Sequence, residues 1–124
     1  MKSIRNIHCI LLALLILLSA CATTTKVNKL NTSYKAKDKN CEIEFFKENQ
    51  LQKKYEEIGK IESHIEKNVF FGGKVQLEDE AYTELRTKAC SLGGDAVIIN
   101  DCINTSASEM SHVHVWATVL KYSN

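Results

Sequence analysis

The stretch that most constrains this chain is a helical stripe that runs straight into a strand. Leu77, Ala81, Leu85, Ala89 and Leu92 recur at three- and four-residue spacing, which lines one face of an α-helix. Gly93-Gly94 follows at once, and glycine is the residue that most readily takes the left-handed conformation closing a helix. Glu78, Asp79 and Glu80 are placed in the first turn, where negative charge complements the helix dipole. Asp95-Ala96-Val97-Ile98-Ile99-Asn100 comes next. It is apolar on both faces, which predicts an interior strand.

The remaining strands are shorter or one-sided. Cys41-Glu42-Ile43-Glu44-Phe45-Phe46 alternates polar and apolar residues, and Tyr55 to Glu62 is a second strand. Residues 47–54 connect them as a loop or a short helical turn, and residues 101–111 form a polar turn. In the last strand, His112 to Tyr122, Val113, Val115, Ala117 and Val119 share one face, and His112, His114, Trp116 and Thr118 the other. Proline is absent, so the glycine pairs and the Asn/Asp/Ser clusters must mark the turns. Val69-Phe70-Phe71 with Gly72-Gly73 either covers the core or forms an exposed apolar contact loop. The expected order is β-β-α-β-β: a single α+β domain, a mostly antiparallel sheet with one helix on one face.

The N-terminus has a different character. Lys2 and Arg5 precede the apolar run Cys9 to Leu18, and small residues Ser19-Ala20 lead to Cys21. That order is an export signal, and the run of about ten residues is too short to span a hydrocarbon core of roughly 30 Å. Leu18-Ser19-Ala20-Cys21 resembles the lipobox of bacterial lipoproteins. The resemblance implies removal of residues 1–20, acyl chains (palmitate among them) on Cys21, and insertion in a lipid bilayer. Ala22, where an inner-membrane retention signal would show Asp, implies the outer membrane facing the periplasm of a Gram-negative cell. Residues 21–40 then form the lipidated N-terminus and a flexible tether, polar and without sustained period. As a coil, residues 22–40 would reach roughly 25 Å. The α+β domain occupies 41–124.

Charge excludes one class of partner. The chain carries 16 Lys+Arg and 15 Asp+Glu, and loss of Lys2 and Arg5 with the leader tips the balance to a formal −1. Nothing in the scattered lysines suits a nucleic acid, whose binding needs clustered cations.

Three cysteines remain beyond Cys21. In an oxidising compartment one bridge is expected. Cys41, opening the first strand, and Cys90, near the end of a helix crossing that sheet, are the favoured pair. Cys90 with Cys102 is the alternative. Closing a loop of roughly 50 residues is worth about 3–4 kcal/mol in the entropic model, and a core this small needs such help.

Glu57-Ile58-Gly59-Lys60-Ile61, followed by Leu85 to Ile99 with its Leu92-Gly93-Gly94-Asp95-Ala96-Val97 step, resembles a group of small bacterial lipoproteins and YbjQ-type domains. It also resembles, distantly, the outer-membrane sensor lipoproteins of the Rcs envelope-stress pathway. The likeness covers about residues 41–122 and is strongest over 85–102. Asp95 to Cys102 matches the sensor strand that ends in a cysteine bridged to the final strand; this chain has no cysteine after Cys102. The resemblance implies a fold and an envelope-sensing or interaction role, without a catalytic motif.

The residues themselves offer little chemistry. His112-x-His114 could chelate a metal with His64 or Cys102 as a third ligand; the plainer reading is a polar face beside Trp116. Cys102 with His112 or His114 could be drawn as a thiol–imidazole dyad, but no glycine-rich oxyanion loop accompanies it. Gly93-Gly94 is a helix cap rather than a phosphate cradle, because Asp95 would repel an anion. The expectation is therefore a non-enzymatic module without cofactor that contacts another envelope protein through His112, His114 and Trp116. The alternative is periplasmic metal binding through His112 and His114.

Overall fold

The computed structural model describes residues 23–30, 33–68, 74–107 and 110–123. The leader, Cys21, and the Phe70-Phe71-Gly72-Gly73 segment lie outside the described residues. The elements are β1 (Thr23–Lys29), β2 (Glu44–Lys47), β3 (Tyr55–Asn68), α1 (Lys74–Ser91), β4 (Ala96–Ala107) and β5 (Met110–Tyr122). Five strands make one sheet in the order β1-β3-β5-β4-β2. The fold is α+β, with α1 packed on one face.

Two features differ from expectation. The order is β-β-β-α-β-β, and the sheet is mixed rather than mostly antiparallel, because β2 pairs parallel with β4 while the other neighbours run antiparallel. Alternation identifies β2 as a strand but does not name its neighbour. Phe45 turns toward α1 and meets Tyr82 edge-on at 5.1 Å between ring centroids, which seats β2 on the β4 edge, far from β3.

The extra strand comes from residues expected to be tether. β1 pairs with β3 over seven positions, from Thr23 opposite Ile65 to Lys29 opposite Gly59. Lys26 reaches Glu62 at 3.1 Å. Residues 26–30 are exposed, as suits an edge strand blunted by lysines; such a strand needs no hydrophobic pattern to be held by its backbone bonds. The second half of the supposed tether is attached too. Lys37 N donates to Cys90 O at 2.8 Å, and Cys41 and Cys90 form a disulfide with α-carbons 5.9 Å apart. The alternative pair Cys90–Cys102 is therefore not made.

Residues 101–107, expected as a turn, continue β4, which forms a long antiparallel pair with β5. The sequence there is polar because this end of the hairpin lies largely exposed.

The core lies between α1 and the sheet. Leu77, Ala81, Leu85 and Ala89 are fully buried, against Ile58, Ile61 and Ile65 of β3 and Val113, Val115 and Val119 of β5. α1 begins at Lys74, so Glu78, Asp79 and Glu80 sit beyond its first turn. Glu78 and Glu80 serve as tertiary contacts instead: Asn104 Nδ2 donates to Glu78 at 2.5 Å, and Lys67 pairs with Glu80. The helix ends as the glycine pair requires. Gly93 has φ of 81°, Gly93 N donates to Cys90 O at 3.0 Å and Gly94 N to Ala89 O at 2.9 Å. These are the two bonds of a Schellman cap. A Cβ on Gly93 would lie 2.6 Å from Lys35 O, so the same glycine lets residues 34–35 cross the helix end.

Candidate functional site

Strand alternation divides the residues of β3 and β5 between two faces. Ile61, Ser63 and Ile65, with Val113, Val115 and Ala117, point to the core. Glu62, His64 and Glu66, with His112, His114 and Trp116, point to the opposite face, which α1 does not cover. The register sets Glu66 opposite His112, His64 opposite His114, and Glu62 opposite Trp116.

Four rings pack in a row across this face. His114 stacks on Trp116 at 3.8 Å and on His64 at 4.9 Å, and His64 meets His112 edge-on at 5.9 Å. Carboxylates flank the row. Glu62 is held below the usual carboxylate range chiefly by its hydrogen bond with Lys26, against the opposing effect of desolvation. His114 Nε2 is shielded from solvent and lies 3.5 Å from Glu62 Oε2, too long for a good hydrogen bond. Glu66 Oε1 lies 3.4 Å from His64 Nε2 and 3.8 Å from His112 Nδ1. His64, Glu66 and His112 bring one ligand atom each within 4.8 Å of the others.

The sequence placed His112, His114 and Trp116 on one face, and the structure does the same. It regroups them, however. His112 belongs with His64 and Glu66, while His114 belongs to the ring stack and Glu62. Glu66, Glu62 and Lys26 were missed. The signal was present as Glu62-x-His64-x-Glu66, whose spacing mirrors His112-x-His114-x-Trp116. Reading it required the register across β3 and β5, which includes a bulge between Glu57 and Gly59.

Cys102 takes no part. It pairs with Val115 and so shares the helix-side face, across the sheet from the imidazoles. It is exposed and not disulfide-bonded. This placement removes it both as a metal ligand with His112 and His114 and as the nucleophile of a thiol–imidazole dyad.

Beyond Trp116 the face dips into an open groove of about 590 Å³, bordered by Lys26, Asn28, Lys60, Glu62, Asn100 and Thr118. Asn100 enters it because β4 carries an extra residue between Ile99 and Asp101, and a bulge re-aims a side chain. Thr118 Oγ1 donates to Asn100 Oδ1 at 2.8 Å.

Asp95 forms a second polar centre, on the helix side. Lys37 Nζ and Lys121 Nζ reach its Oδ1 at 2.5 and 3.0 Å, and Tyr122 N donates to Oδ2 at 3.0 Å. Burial pushes its carboxyl upward, but the hydrogen bonds from Lys37 and Lys121 outweigh it and hold the group below the usual range. Every contact fastens residues 33–38 and the end of β5 together, a structural role. Tyr122 is pushed up to about 12 by desolvation and by its bond to Glu44.

No family model and no curated protein matches this chain. Its fold is similar to the crystal structure of a Francisella virulence factor, FvfA, with a TM-score of 0.60 and 12% sequence identity over 79% of this chain and 97% of that one. At that identity the likeness is one of architecture. Among the described residues no helix is long and apolar enough to cross a membrane.

Proposed function

We propose that this chain is an outer-membrane lipoprotein, held by acylated Cys21 and facing the periplasm, whose sheet face opposite α1 binds another envelope protein without turnover. One observation carries the reading: α1 covers a single face of the sheet, and the other presents a row of rings ending in a groove. The lining fits a protein segment that offers an apolar or aromatic side chain to Trp116 and a carboxylate to exposed Lys60. Binding is favoured over catalysis because the Cys102 thiol lies across the sheet from the imidazoles.

The anchor gains a definite geometry in this reading. β1 begins at Thr23, so no more than about 7 Å of extended chain separates Cys21 from the sheet. The domain would rest against the headgroups rather than swing on a coil of roughly 25 Å.

Two measurements test the proposal. An alkyne fatty-acid label should enter the full chain in cells and be lost in Cys21→Ser. A photo-crosslinking residue at Lys60 or Asn28 should give a discrete adduct that Trp116→Ala abolishes, while the same residue at Thr87 on α1 gives none. Equal adducts from both faces, or none from the sheet face, would refute it.

A further inference from the structure

We infer that His64, Glu66 and His112 form a Zn²⁺ site at the β1-start end of the uncovered sheet face, independent of the partner-binding proposal. The argument begins with the ligand types. Two imidazoles and one carboxylate are a recurrent zinc set that leaves a fourth position for water or a further ligand. The same set with open positions also suits other divalent first-row metals. In a tetrahedral site, bonds of 2.0–2.1 Å place neighbouring ligand atoms about 3.3–3.4 Å apart. His64 Nε2 and Glu66 Oε1 are already 3.4 Å apart, and His112 Nδ1 is 3.8 Å from the same oxygen. All three ligand atoms fit within 4.8 Å, so closing on an ion takes side-chain adjustments of under an ångström or so.

The backbone makes the arrangement rigid. His64 and Glu66 stand two residues apart on β3, and His112 faces Glu66 on β5. Both strands are interior to the sheet: His112 is flanked by β3 and β4 and His64 by β1 and β5, while Glu66, one residue past the start of β1, is paired with β5. His112 is 40% and His64 33% exposed at the side chain, which leaves an approach for the ion and room for water. The charged groups nearby do not compete: Lys26 is engaged with Glu62, and Glu62 faces His114. His114 contributes by stacking on His64, which fixes the ring of a ligand. The ligand set is thus His64, Glu66 and His112, in place of the pair His112 and His114 that spacing alone suggested.

The test uses the full chain, purified in detergent and stripped with chelator, titrated with Zn²⁺ in a calorimeter. One equivalent should bind. His64→Ala, His112→Ala and Glu66→Gln should each weaken binding about tenfold or more, while His114→Phe, which keeps a ring in the stack, and Cys102→Ser should leave it unchanged. Long-range ¹H–¹⁵N spectra of the unaltered chain should show Zn²⁺ moving His64 Nε2 and His112 Nδ1 and sparing the nitrogens of His114. That readout stands even where a variant fails to fold. Absence of stoichiometric binding, a loss in His114→Phe equal to that in His64→Ala, or indifference to Glu66→Gln would overturn the site.

Discussion

Removing the Cys41–Cys90 disulfide is expected to be the most damaging small change to this fold. The bridge has a sequence separation of 49 and encloses β2, β3 and α1, so two of the five strands and the only described helix lie inside one closed loop. In the chain-entropy model a loop of that length restricts the unfolded ensemble by about 14 cal/mol/K, or about 4 kcal/mol at 25 °C. For a domain of this size each kcal/mol moves the melting temperature by roughly 4–8 °C, so the Cys41→Ala/Cys90→Ala variant should melt roughly 15–30 °C lower. Cys90 is fully buried, so the variant also loses packing and the figure is a floor for the native side. Reduction of the unaltered chain, followed by circular dichroism, measures the same step without that loss. The reduced chain should therefore melt at or above the variant, the gap reporting the lost packing. Cys102, exposed in the middle of β4, supplies the control, because Cys102→Ser should shift stability by less than about 0.5 kcal/mol. A drop under about 5 °C on reduction would refute the reasoning. It would mean that the bonds of Lys37 to Cys90 and Asp95 hold residues 33–43 unaided, or that the reduced unfolded chain is already as restricted as the bridged one.

Three further outcomes follow from the same geometry. Gly93→Ala should cost roughly 1–3 kcal/mol in urea unfolding, since a side chain there meets both a left-handed backbone and Lys35 O at 2.6 Å; a neutral change would mean residues 34–35 are not docked on the helix end. Asp95 has its folded-state pKa held below its ordinary 3.8, so its contribution is present above that value and lost as pH falls through the lower folded pKa. Melting curves of the unaltered chain should therefore lose stability below about pH 4, and Asp95→Asn should be less stable at neutral pH yet flatter across that acid range. Deleting residues 23–30 should bare the β3 edge and cause self-association visible by size-exclusion chromatography; a monomeric, equally stable product would show that β1 is dispensable.

Much of the interior was legible because burial imposes pattern. Leu77, Ala81, Leu85 and Ala89 had to share a face, Gly93 had to close the helix, and Val113, Val115, Ala117 and Val119 had to turn inward. β1 was not legible for the converse reason. Lys26, Asn28 and Lys29 are solvated, and an edge strand joined by backbone bonds leaves no hydrophobic imprint. The parallel pairing of β2 was equally hidden, since alternation marks a strand but not its direction or neighbour. For the site, His112, His114 and Trp116 were readable within one strand. Glu66 was not, because its place beside His112 depends on the register between strands more than forty residues apart in the chain.

That register also orders the open face with respect to the proposed anchor. Thr24 lies opposite His64, and Asn28 lies opposite Lys60, so the His64–Glu66–His112 cluster stands level with the start of β1 and the groove beside Trp116 lies four residues farther along. At 3.4 Å per residue the separation is about 14 Å. Were Cys21 to carry the proposed lipid, two residues before Thr23, the cluster would lie toward the headgroups and the groove away from them. In that arrangement the proposed partner would meet Trp116 and Lys60 first. Its route to the proposed metal ligands would run through the stack, in which His114 touches both Trp116 at 3.8 Å and His64 at 4.9 Å. Because those rings stand on neighbouring strands of fixed register, a displacement of Trp116 has His114 and then His64 directly in its path. The ring row is therefore a contiguous side-chain link between the two proposed sites.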